Sequence, residues 1–219
     1  NAIGTSGTVT FSGGTLQYSS SNTSDYSARF SNAASQAYSV DTNGQNVTLA
    51  IALTSASGTF TKLGSGTLTL SGANTYSGST TISAGTLKAG AANTLPSGTA
   101  ISMANATLDL GGYSQSVASL DSTNASSLVT NSGNSNATLT LTGTVPGSYA
   151  GNLTDGATKT LGLTLNSGVG TLTLSGTNTY TGGTTITTGY LALGSSTALP
   201  SGGDVTVNGT LNLNGYSAT

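Results

Sequence analysis

Short runs in which larger apolar side chains alternate with polar or small ones recur along the whole chain. They include Thr8-Val-Thr-Phe11, Leu49-Ala-Ile-Ala-Leu53, Thr67-Leu-Thr-Leu70 and Thr107-Leu-Asp-Leu110 in the first half. The second half has Ala137-Thr-Leu-Thr-Leu-Thr142, Leu161-Gly-Leu-Thr-Leu165, Thr171-Leu-Thr-Leu174, Val205-Thr-Val207 and Thr210-Leu-Asn-Leu213. A period of two predicts strands that turn one face inward. Ser71-Gly72, Asn43-Gly44, Asn208-Gly209 and Asn214-Gly215 punctuate the runs, as turns require. No 3.6-residue period is sustained, so the pattern predicts an all-β chain.

A long stretch of that pattern occurs twice. Gly66 to Gly98 returns 104 residues later as Gly170 to Gly202, with 21 of 33 positions identical. Self-similarity at fixed spacing marks a stacked array in which each unit covers its neighbour's apolar face. Very short strands, small residues at the corners and whole sets of strands copied in order favour a parallel β-helix over a hairpin-built sandwich or barrel. Coils of roughly 20–25 residues, each rising ~4.8 Å, predict about ten coils and a rod near 50 Å long. Inward Leu68, Leu70, Ile82 and Leu87, with Leu172, Leu174, Ile186 and Leu191 in the second copy, are the expected aliphatic ladder.

The domain expectation is one continuous segment over 1–219, with copies at about 58–120 and 162–219 and a partial copy at 1–20. The chain starts and stops inside a repeat, without a polar cap. It is therefore expected to be a piece of a longer chain, or to meet other copies of itself at open ends.

Composition removes most chemistry. There are no His, Cys or Trp residues, all six acidic residues are Asp, and only 5% of the chain is charged. The net charge of −2 has no basic run behind it, which argues against nucleic-acid binding. No apolar stretch approaches the ~20 residues of a membrane helix, so no membrane insertion by this segment is expected. Zinc and iron sites lack their ligands, a serine nucleophile lacks a histidine, and the Asp residues are too scattered for a calcium repeat. No cofactor and no enzyme activity are expected.

The block Gly66-Thr-Leu-Thr-Leu-Ser-Gly-x-Asn-Thr-Tyr-x-Gly-x-Thr-Thr-Ile, followed by Gly85-Thr-Leu87, closely resembles the autotransporter passenger-associated β-strand repeat. The resemblance is specific over 58–120 and 162–219 and looser over 1–57, at Gly13-Gly-Thr-Leu-Gln-Tyr18 and Asp41-Thr-Asn-Gly44. It implies a right-handed parallel β-helix exported to the outside or outer surface of a Gram-negative-type bacterium. It transfers no catalytic residues.

A few residues invite a binding role. Asp25 and Arg29, with Tyr26 and Phe30, form the one cluster of opposite charges and aromatics; the plainer reading is a coil corner held by a salt bridge. Tyr76 and Tyr180, in matched Asn-Thr-Tyr triplets, offer an exposed aromatic strip, or pack over a corner with the hydroxyl in solvent. Asn74 and Asn178 are expected to bond to backbone at a turn. Asp109 is expected to project outward from its strand, and its counterpart in the second copy is Asn212. The expected function is a stalk, adhesin or fibre segment. The alternatives are a head-to-tail filament subunit and a glycan-binding or glycan-cleaving β-helix. Expected partners are other copies or segments stacked end to end, and host or surface glycans or proteins.

Overall fold

A computed structural model describes residues 3–4, 6–144 and 146–217. Asn1, Ala2 and Thr5 of the N-terminal partial copy, and Ala218 and Thr219 at the other end, lie outside the described residues. The chain is an all-β solenoid of about nine turns, roughly 43 Å long at ~4.8 Å per turn. Its strand pairs are parallel, and register partners lie 19 to 25 residues apart. One short 3-10 turn, Ser27–Arg29, is the helical element among the described residues.

Three faces wrap the core. The first stacks Leu16–Gln17, Ala37–Asp41, Thr59–Leu63, Thr80–Ile82, Ala100–Met103 and Ser119–Asp121. The second stacks Val47–Leu49, Thr67–Leu70, Gly85–Ala89, Ala106–Asp109, Leu128–Thr130 and Asn152–Leu153. The third runs through Gln115–Val117 and Ala137–Leu141 to Leu161–Leu174, Thr184–Leu193 and Val205–Val207. Leu161–Leu174 and Thr184–Leu193, at 14 and 10 residues, are longer than the sequence suggested because each continues around a corner. Register shifts between Leu165 and Thr171 mark that bend.

The inward positions form true ladders. On the second face Val47, Leu68, Leu87, Leu108, Val129 and Leu153 are successive register partners. Each is at most 3% exposed, and burying each aliphatic group contributes about 1.5–3 kcal/mol. Leu70, Ile82, Leu172, Leu174, Ile186 and Leu191 are buried likewise. At the N-terminal end rings replace aliphatics: Phe11 meets Phe30 and Tyr38 edge-on, with centroids 4.9 and 5.5 Å apart.

The two repeat copies do not lie on the same face. Thr67–Leu70 belongs to the second face. Residues 171–174 instead pair with Gly147–Tyr149, which follows Ser119–Asp121 of the first face through the Ser122–Tyr149 bridge. Four full coils on the second face carry Leu68 to Leu153, and Leu172 lies two faces further on. The 104-residue spacing is therefore not a whole number of coils, and the second copy is turned by one face. The motif carries its local geometry with it. Gly85 and Gly189, at φ +65° and +86°, occupy the left-handed region at the same place in both copies, a conformation costly for other residues.

Candidate functional site

The repeated Asn-Thr-Tyr triplet builds a clamp between coils. Asn74 Oδ1 accepts from the Leu53 amide of the preceding coil at 2.7 Å, while its Nδ2 donates to the Thr94 carbonyl of the following coil at 2.7 Å. Asn178 repeats this between Leu153, at 2.7 Å, and Ala198, at 2.6 Å. Both side chains are buried, so each replaces water for backbone groups left unpaired at a corner.

Tyr76 and Tyr180 are not an exposed strip, and their hydroxyls do not reach solvent. Both rings are wholly buried. Tyr76 Oη pairs with Thr80 Oγ1 at 2.7 Å and Tyr180 Oη with Thr184 Oγ1 at 2.5 Å. The i to i+4 threonine of the same motif supplies the polar partner that a buried phenol needs. Burial raises both phenol pKa values, Tyr180 to about 12, although the threonine bonds act to lower them.

The Asp25–Arg29 corner is structural without the salt bridge expected there. Asp25 accepts from the Ser27 amide at 2.8 Å and from the Ala50 amide of the next coil at 2.9 Å. Arg29 donates to the carbonyls of Ile3, Gly4, Ser6 and Gly7 at 2.5–3.2 Å. Backbone oxygens take up the guanidinium, and Tyr26 and Phe30 lie in the core.

Two further charges take places the alternation did not announce. Lys62 occupies an inward position between Val40 and Ile82 and is fully buried. Its Nζ donates to Thr42 Oγ1 and to the carbonyls of Leu63, Gly64 and Ala84 at 2.7–3.1 Å. Loss of water lowers its pKa to about 8, against an opposing pull from Asp41. Asp109 leaves its strand on the outward side, as expected, but is only 5% exposed, because Ser132 of the next coil covers it. Burial acts to raise its pKa; the Ser132 hydroxyl and amide, the Gly111 amide and Lys88 outweigh this and leave it lowered.

These groups set a pH profile. Between about pH 8 and the ordinary 10.5 the unfolded chain holds a proton on Lys62 that the folded chain has lost, so stability rises with pH there. Above about pH 10 the sign reverses, because unfolded tyrosines ionise while buried Tyr180, Tyr76 and Tyr149 stay protonated. Urea midpoints should rise from pH 7.5 towards 10 and fall steeply above it, and Lys62→Met should flatten the rising arm. A profile that only rises would contradict the tyrosine assignment, and one that only falls the Lys62 assignment.

Among the described residues no three Asp side chains gather as a potential metal site. No described helix is long and apolar enough to cross a membrane, which says nothing of strands. Residues 60–89 and 162–193 match the passenger-associated-transport-repeat family. Both segments hold the triplet, its threonine partner and the left-handed glycine. Neither the curated proteins nor the solved structures include a match to the chain.

Proposed function

We propose, from two passenger-associated-transport-repeats carried on one unbroken solenoid core, that this chain is a non-catalytic stiff segment of an autotransporter passenger outside a Gram-negative-type cell. The observation that supports it most is that both repeats spend their polar chemistry on holding coils together. Asn74 and Asn178 are buried in bonds between coils, and Tyr76 and Tyr180 are buried with their hydroxyls on the threonine four residues on, leaving a largely uncharged Ser, Thr and Asn exterior. Such a rod spaces and presents. Ladder hydrogen bonds run along its axis, so pulling on its ends loads many bonds together.

The test is display. The chain is placed between a signal peptide and the C-terminal barrel of an unrelated autotransporter, and an epitope at its outer end is probed on intact cells. The reading expects external epitope, removed by added protease. Epitope that stays inside the cell would overturn it.

A further inference from the structure

Lys88, Asp109 and Ser132 come from three consecutive coils and meet beside a surface pocket of about 300 Å³, which Lys88 and Ser132 line while Asp109 lies buried behind them. Lys88 Nζ lies 3.3 Å from Asp109 Oδ2, the one ion pair among the described residues. It also donates to Ser132 Oγ at 2.8 Å, and Ser132 Oγ donates to Asp109 Oδ2 at 2.5 Å. Gly111 and Gly112 give the pocket bare backbone, and Asn134 and the half-exposed Tyr113 complete its rim.

The turn after Asp109 does not require these charges, as the second copy shows. At the positions of Lys88 and Asp109 it carries Ala192 and Asn212. Asn212 Oδ1 accepts from the Asn214 amide at 2.9 Å, just as Asp109 Oδ1 accepts from the Gly111 amide at 2.9 Å. An amide side chain satisfies the turn. The carboxylate in the first copy adds something else: it fixes Lys88 and Ser132 at the pocket wall while cancelling the ammonium charge.

An aromatic plate beside fixed donors and acceptors of zero net charge is the chemistry that recognises a sugar. The ring covers C–H groups, and the polar groups replace water around hydroxyls. Matching of the Lys88 charge by Asp109 disfavours an anionic ligand. We propose that this pocket binds a neutral saccharide. Tyr113 stacks on the sugar face, Lys88, Ser132 and Asn134 bond its hydroxyls, and Asp109 is the positioning residue. The assignment stands independently of the stalk reading, since a rod presents such a site equally well as part of a longer passenger or alone.

The test is an amide chemical-shift titration of the folded chain with lactose, maltose and cellobiose, up to on the order of tens of millimolar. Saturable shifts confined to residues 111–113 and 132–135 are expected with at least one of the three. Tyr113→Ala, at an exposed position, should weaken binding about tenfold. Asp109→Asn, which keeps the turn as Asn212 does, should weaken it while leaving the fold's spectrum unchanged elsewhere. The matched rung of the second copy, with exposed Tyr216 but no charged pair, should not shift. Two outcomes would each overturn the assignment: no saturable shift with any of the three sugars, or equal shifts around Tyr216.

Discussion

Leu68→Asp is expected to cost about 4 kcal/mol or more, while Thr67→Asp, one residue away, stays within about 0.5 kcal/mol of the parent. Leu68 is fully buried between Val47 and Leu87, and no cation is placed to pair with a carboxylate there. Thr67 faces outward, and its contact to Asn46 is made by its own amide, which the substitution keeps. Leu172→Asp should repeat the large effect on a different face. Urea unfolding followed by circular dichroism reads all three. Equal, mild losses at 67 and 68 would mean that the inward phase of the strands is misassigned.

Asn74→Ala and Asn178→Ala are each expected to destabilise by about 2–4 kcal/mol, although neither side chain is apolar. Asn178→Ala strands the Leu153 amide and the Ala198 carbonyl, and Asn74→Ala strands the Leu53 amide but leaves the Thr94 carbonyl the Asn74 amide at 3.3 Å, which puts it at the lower end of that range; unsatisfied buried groups cost about 1–3 kcal/mol apiece. Asn74→Asp is the discriminating variant. It preserves the acceptor for the Leu53 amide but removes the donor to the Thr94 carbonyl, so it should be no better than alanine. The two sites lie roughly 20 Å apart along the axis, so the double variant should lose close to the sum. A silent Asn74→Ala would remove the clamp from the account.

Much of this architecture was legible in the chain, and the gaps have physical causes. Period two carries the inward phase, because burying one face of a strand leaves a mark at every second residue; Leu68, Leu87 and Leu172 are read that way. The same phase puts Lys62 in line with Phe60, yet an ammonium in the ladder makes sense only once the Thr42, Leu63, Gly64 and Ala84 oxygens are seen around it. The burial of Tyr76 and Tyr180 was hidden because their partner threonines lie across a corner, outside any strand period. The burial of the outward Asp109 was hidden for a related reason: Ser132, which covers it, arrives 23 residues later from the next coil. The one-face turn between the copies could not be counted, since coil lengths vary from 19 to 27 residues. What the Asn74, Asn178 and Asp109 corners share is that each is completed by a neighbouring coil, which a single-strand pattern does not contain.

The central claim is that the chain is a stack of separable coils on one continuous core, and excising one coil in register tests it most directly. Leu108 and Val129 are register partners 21 residues apart, so deleting residues 108–128 seats Val129 on Leu87 and removes a single coil. The account predicts a variant that still unfolds in one cooperative transition, with parallel-sheet dichroism intact and a urea m-value lower by about one part in nine, as one turn fewer exposes proportionately less surface. Deleting only 108–118, about half a coil, should leave the faces mismatched and the chain unfolded. If the whole-coil deletion unfolded the protein as completely as the half-coil deletion, the stacked-coil account would be contradicted.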